Sequence, residues 1–193
     1  MTWGNNKLPK YIATFNFCSA HYCPALALGI CKHANSCYGL EMEIRWTNTE
    51  LFHIKQGRFF DLLSKEQLAE LLLMEIQLHR LETKKFRFSV VGDLKGQKEV
   101  DKFTYVAGAI RDSGIVVYGY TAMEHLDFTE LMKVATVNGS YFMLSNKVVV
   151  VDEFSGTADV ECPNDCAICE ACMESNGKVI EIIKTQNKRR KRK

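Results

Sequence analysis

The chain has 193 residues, 47% of them hydrophobic and 25% charged, and a formal net charge of +2. This is the make-up of one soluble globular domain with enough chain to bury a core. Its apolar runs, such as those at 115–117 and 148–151, fall far short of the roughly 18–20 residues of a membrane span, and the N-terminus lacks the basic, apolar and small-residue sections of a signal peptide, so no membrane partner and a cytoplasmic location are expected.

In chain order, KYIATFNF at 10–17 alternates aromatic and β-branched residues and predicts a strand. Residues 18–40 carry four cysteines, two glycines and a proline, and predict a loop organised by something other than a core. A helical segment over 49–60, interrupted near Gly57, follows. Ser64 and Gln67 have capping-box spacing ahead of LAELLLMEIQLHRLE, which predicts a helix over 64–83. FRFSVV at 86–91 predicts a strand ending at Gly92-Asp93. Residues 100–113 predict a helix stopped by Gly114. A strand at 115–121, a helix at 126–138 before Gly139, strands at 140–145 and 147–154, and a last strand at 177–184 complete the pattern.

The middle of the chain therefore alternates strand and helix, which predicts parallel strands with right-handed crossovers. The expected fold class is α/β, a small, mostly parallel sheet or partial (half) barrel, with cysteine-rich metal-binding segments at both ends of the chain. Residues 1–187 are expected to form a single metal-binding domain. In such folds functional groups gather at the carboxyl ends of strands. That rule singles out Asp93 and Thr121, and strand parity with Asp93 adds Arg87 and Ser89 if that face lines the site. The candidate catalytic residues are Asp93, Arg87 and Thr121, and the candidate cofactor-binding residues Asp93 and Ser89. The C-terminal cysteines are expected to fold back to the same edge as the N-terminal ones.

Residues 188–193 are all basic, and without them the other 19 basic residues are outnumbered by the 23 acidic ones. The body is thus not a nucleic-acid-binding surface overall. The expectation for the tail is a solvated, disordered end, able to add a nonspecific, salt-sensitive attraction to nucleic acid.

Eight cysteines in a reducing compartment point to metal rather than to stable disulfides. The C-terminal set, Cys162, Cys166, Cys169 and Cys172, is spaced C-x3-C-x2-C-x2-C. Closely spaced thiolates repel unless a cation holds them. Structural zinc usually takes two separated pairs, whereas this compression suits one loop wrapping a cubane iron–sulfur cluster. The spacing favours one or two 4Fe-4S clusters, with zinc as the alternative. Cys162, Cys166 and Cys169 alone have the C-x3-C-x2-C spacing of radical S-adenosylmethionine enzymes, although in that superfamily the motif follows the first strand. The N-terminal set, Cys18, Cys23, Cys31 and Cys37, is looser but does follow the first strand. His21 and His33 lie within that loop and are read as solvent-facing or hydrogen-bonded.

These residues resemble the phage gene product 88 domain family. The resemblance runs through Cys23-Pro24-Ala25, Cys31 and Cys37-Tyr38, then Asn48, Arg87-x-Ser89-x-x-Gly92-Asp93 and Tyr118-x-Tyr120-Thr121. It ends at Cys162-Pro163, Cys166, Cys169 and Cys172, covering about residues 12–173. Cys18 is extra to the pattern, and Met173 stands where an aromatic residue is expected. The resemblance implies an α/β domain with cysteine clusters, of phage or mobile-element type, located in the host cytoplasm if viral. It supplies architecture more than activity. The expected function is an iron–sulfur protein, either a redox protein or a radical-enzyme-like catalyst using S-adenosylmethionine. The alternative is a zinc-stabilised, noncatalytic interaction or nucleic-acid-associated viral protein.

Overall fold

The strand–helix alternation is realised in one eight-stranded sheet, seen in a computed structural model that describes residues 1–4, 8–79 and 83–183. The strands are β1 (Thr2–Trp3), β2 (Ile12–Phe15), β3 (Lys85–Phe88), β4 (Val116–Thr121), β5 (Thr136–Ser140), β6 (Asn146–Val151), β7 (Val160–Cys162) and β8 (Val179–Ile183). The helices are α1 (Pro24–Ala27), α2 (Tyr38–Arg45), α3 (Thr47–Leu62), α4 (Lys65–Leu78), α5 (Gln97–Asp112) and α6 (Thr129–Met132). The sheet order is β1-β2-β3-β4-β5-β6-β8-β7, so it is open, with β1 and β7 at its edges. β1 pairs antiparallel with β2, and the remaining pairings are parallel.

From β2 to β6 the spatial order is the chain order. Successive crossovers of one hand in one direction, from β2 to β5, place their helices on one face. The side-chain alternation confirms it. Ala13, Phe15, Phe86, Phe88, Val117 and Val137 point into a core shared with Phe60 of α3, Leu68 and Leu72 of α4, Phe103 and Ile110 of α5, and Leu131 of α6. Phe17 sits at its centre, edge-on to Phe60 at 4.9 Å and to Phe103 at 4.8 Å between ring centroids. Residues of opposite parity, Ile12 and Tyr118, form a second cluster with Leu8 and Met173 on the other face.

The capping box is formed as expected, with Ser64 accepting from the Gln67 N–H and Gln67 accepting from the Ser64 N–H. The helix behind it ends at Leu78 rather than 83, and residues 80–82 of the expected span lie outside the described residues. α5 begins at Gln97, a turn earlier than expected, and Gly114 follows it with φ +86°.

Three expectations are corrected. Gly57 does not interrupt α3, which is continuous from Thr47 to Leu62. A Cβ there would lie 2.8 Å from the Phe17 carbonyl oxygen, so the glycine serves close approach of the helix to the chain after β2. The loop read over 18–40 contains α1 and the start of α2. The helix expected over 126–138 shrinks to Thr129–Met132, and Thr136–Ser140 joins the sheet instead, shifting the strand expected at 140–145. The β-branched Thr136 and Val137 favour the pleated conformation. β5 then pairs in parallel with β6 across a short turn in which Tyr141 has φ 70°. The strands expected at 147–154 and 177–184 run Asn146–Val151 and Val179–Ile183. Lys184 and the basic tail at 188–193 lie outside the described residues. Among the described residues no helix is long and apolar enough to cross a membrane.

Candidate metal centre

The C-terminal cysteine segment is held on the sheet face opposite the helices. Parallel pairing puts Asn138 of β5 level with Asn146 of β6, and both side chains are fully buried. Asn146 Nδ2 donates to Asn138 Oδ1 at 2.9 Å and to the Glu174 carbonyl at 2.8 Å. Asn138 Nδ2 donates to the carbonyls of Gly119 and Cys172, each at 2.9 Å. The Thr136 hydroxyl donates to the Met173 carbonyl at 2.8 Å, and Lys85 Nζ pairs with Glu170. The segment's backbone carbonyls are thus satisfied by side chains of the sheet, as buried polar groups require.

Beneath the segment lie Arg87 of β3 and Tyr118 and Tyr120 of β4, with Arg87 level with Tyr118. The Arg87 guanidinium sits 4.7 Å from the Tyr120 ring centroid. Its Nε and the Tyr118 hydroxyl are shut off from solvent and have no hydrogen-bond partner. Cys166 and Cys172 pack against the same cluster. Burial pushes the Cys172 thiol up to about 11, against the opposing pull of the Tyr120 hydroxyl, with Cys162 and Cys169 pushing further up. Burial also raises Cys166, which Arg87 opposes. Burial works against the Arg87 charge, yet Tyr120, Tyr118, Cys166 and Cys172 around it leave its pKa raised. This is a nest of thiols above a fixed cation, chemically suited to a group that brings positive charge to sulfur and accepts hydrogen bonds. Among the described residues no three His, Cys, Asp or Glu side chains are arranged to hold a metal ion, and all eight cysteines are free thiols. The fit to an inorganic group therefore rests on the donor set: two buried donors without acceptors, on the face where Cys166 and Cys172 pack.

The N-terminal set has different surroundings. Cys18 and Cys23 belong to the helix-side core, whereas Cys166 and Cys172 pack on the other face. Of the two groups expected at one edge, Cys18 and Cys23 therefore pack on the helix side of the sheet, and Cys166 and Cys172 on the opposite face. Cys18 is buried, its Sγ donating to the Asp93 carbonyl at 3.7 Å, and a Cβ on Gly92 would lie 2.6 Å from that sulfur. Burial pushes Cys18 up to about 12 and Cys23 up to about 11. Cys31 and Cys37 are half-buried. Burial raises Cys31, with Cys37 and Asp93 adding to it against the backbone N–H of His33.

Asp93, Thr121 and Ser89 do stand at carboxyl ends of strands, but their polar atoms are engaged within the fold. The Asp93 carboxylate accepts from the Leu94 N–H at 2.9 Å, the Thr121 hydroxyl at 2.9 Å and the Ala122 N–H at 2.7 Å. Burial raises its pKa to about 6 against those bonds. It ties the turn after β3 to the end of β4. Ser89, at φ 54°, donates to the Gly92 carbonyl at 2.5 Å and closes that turn. A cleft of about 580 Å³, lined in part by Leu73, Ile76 and Ile115, lies at the opposite, amino end of β4.

Sequence reasoning missed a second organiser, Glu43 on α2. It is 1% exposed and accepts from the Ser19 hydroxyl at 2.7 Å, the Ala20 N–H at 2.9 Å, His53 Nδ1 at 2.6 Å and His21 Nδ1 at 3.1 Å. Burial raises its pKa, but the bonds from His53, Ala20 and Ser19 outweigh it and leave it lowered. His21 is thus bound to a carboxylate, and the His33 ring packs 4.9 Å from that of Tyr141. Gly39 and Glu43, buried four apart on one helix face, are the available signal. Asn138 and Asn146 were also missed, their signal being an amide within each of two β-branched strands.

Compared with protein-family models, curated proteins and solved structures, the chain matches none of them.

Proposed function

We propose that this chain is an iron–sulfur redox protein whose C-terminal segment binds a cubane cluster through Cys162, Cys166, Cys169 and Cys172. The observation that carries the reading is the pair of buried, unpartnered donors, Arg87 Nε and the Tyr118 hydroxyl, on the face where Cys166 and Cys172 pack. A buried donor left without an acceptor costs about 1–3 kcal/mol. Cluster sulfides and thiolates are such acceptors, and hydrogen bonds to sulfur are a principal control on cluster chemistry. The backbone clamp from Thr136, Asn138 and Asn146 gives the ligand loop a fixed seat.

A redox or electron-transfer role is favoured over radical catalysis with S-adenosylmethionine. The polar groups at Asp93, Ser89 and Thr121 that would receive such a cofactor are spent on one another and on the backbone. The same C-terminal cysteines carry the resemblance to the phage gene product 88 domain family, and membership of that family is part of this proposal. Cys23, Cys31 and Cys37 are the candidates for a second centre, with Cys18 serving as a core thiol.

The test is anaerobic purification followed by iron, sulfide and zinc analysis. A brown protein with about four irons and four sulfides per chain supports one cluster, and twice that supports a second on the N-terminal loop. Colourless protein with stoichiometric zinc overturns the reading in favour of a zinc-stabilised interaction protein.

A further inference from the structure

We infer that Arg87, together with the Tyr118 hydroxyl, is the fixed counter-charge and hydrogen-bond donor that sets the reduction potential of the C-terminal cluster. The inference rests on the proposed iron–sulfur reading.

Arg87 is the one charged side chain that β3 projects between Phe86 and Phe88 onto the face opposite the helices. Arg87 is half-buried with its Nε shut off from solvent, and charge drawn partly out of water is costly. The Tyr120 ring at 4.7 Å offers a cation–π contact, which covers one face of the group but leaves Nε without a partner. Among the described residues no carboxylate forms an ion pair with Arg87. Its electrostatic neighbours are Tyr118, Tyr120, Cys166 and Cys172. The neighbouring acidic residue of the segment, Glu170, is taken by Lys85 instead. The chain thus reserves one positive charge and two donors, Nε and the Tyr118 hydroxyl, for whatever the thiols hold.

The chemistry follows from charge. A cubane core bearing two positive charges on four thiolates is a dianion. Were such a cluster held there, one electron from an external donor would make it a trianion, with one ferric equivalent becoming ferrous and no bond or proton changed. A nearby fixed cation stabilises the trianion more than the dianion, so it raises the potential. A donor hydrogen-bonded to sulfur acts in the same direction. Guanidinium suits the role because it stays charged when enclosed and presents its donors in a rigid plane.

The experiment is a dithionite titration of the cluster's midpoint potential, followed by electron paramagnetic resonance, on wild type, Arg87→Gln, Arg87→Lys and Tyr118→Phe. Iron and sulfide are measured on each. Arg87→Gln is expected to lower the potential by at least ~59 mV, a tenfold shift in a one-electron equilibrium. Arg87→Lys, which keeps the charge, is expected to stay closer to wild type than to the glutamine variant. Tyr118→Phe keeps the ring in its core position and is expected to lower the potential by a smaller amount, which tests the inference even where Arg87→Gln fails to accumulate. Equal potentials in the loaded fractions of all variants overturn the role of Arg87 and Tyr118 while leaving the cluster in place. Reduced loading with an unchanged potential would mark a merely structural arginine and also overturns it. Wild-type protein without iron and sulfide overturns the cluster itself and this inference with it.

Discussion

Glu43 and Asp93 are both buried carboxylates, and their surroundings drive them in opposite directions. Burial dominates at Asp93, where neutral donors only partly offset it. At Glu43 the imidazole of His53 joins the Ser19 and Ala20 donors, and the balance tips towards the ionised form. A carboxyl held below its unfolded value favours the fold above that value and loses its contribution as pH falls through the folded one. Glu43 therefore stabilises the turn at 19–21 at neutral pH, and the contribution fades below the ordinary 4.5. We expect Glu43→Gln to cost about 1–3 kcal/mol at pH 7, because buried donors of Ser19, Ala20 and His53 lose a carboxylate acceptor. Its urea midpoint should also vary less than wild type's between pH 5 and about pH 3. Parallel midpoint-versus-pH curves for the two proteins would refute this role.

At the scale of elements, packing decides where local pattern misleads. α4 was legible because its start signal is local: Ser64 and Gln67 cap each other within one turn. The strand–helix alternation was legible because Phe86, Phe88 and Val117 sit in apolar runs flanked by turn residues. Gly57 was misread because its cause is distant in sequence, the Phe17 carbonyl oxygen 2.8 Å from the position of a Cβ. We expect Gly57→Ala to destabilise by about 1–3 kcal/mol, the usual cost of overpacking, despite alanine's better helix propensity. A neutral or stabilising result in urea unfolding would mean that α3 can move off the chain after β2. The exchange of helix for strand at 136–140 has the same origin. Asn138 has poor strand propensity, and only its bonds to Gly119, Cys172 and Asn146 explain its burial. The spacing of the C-terminal cysteines could be read from sequence, but not the face they occupy, since that depends on which residues of β3 to β6 point away from the helices. Replacing Asn138 or Asn146 with Ala leaves carbonyls of the segment unsatisfied. Each is expected to cost about 1–3 kcal/mol. The two losses should be non-additive because the side chains bond each other. Faster alkylation of Cys172 in either variant checks that the segment has loosened, and an unchanged rate would contradict the clamp.

The molecule as a whole is asymmetric about its sheet. The helix-side core draws its buried residues from β2 to β5, from the helices and from the chain that follows β2, ending at Val137. None of them comes from the C-terminal cysteine segment, which contributes Met173 to the smaller cluster with Leu8, Ile12 and Tyr118. Regions with few buried apolar contacts open at lower free energy than the core they rest on. Metal binding in very small domains is folding itself, because no core exists without it. Here the larger core stands apart from the C-terminal thiols, so loss of their cluster is expected to release the segment and leave the sheet and helices folded. Cys169→Ser should therefore lose iron and sulfide yet keep the far-ultraviolet circular dichroism of wild type. Its amide exchange should rise over 160–178 and stay slow in β3, β4 and α5. Limited proteolysis should cut first between β7 and β8. Cooperative unfolding of the whole chain on loss of the metal would instead mean that the face carrying Arg87 and Tyr118 is as necessary to the fold as the face carrying Phe86 and Phe88.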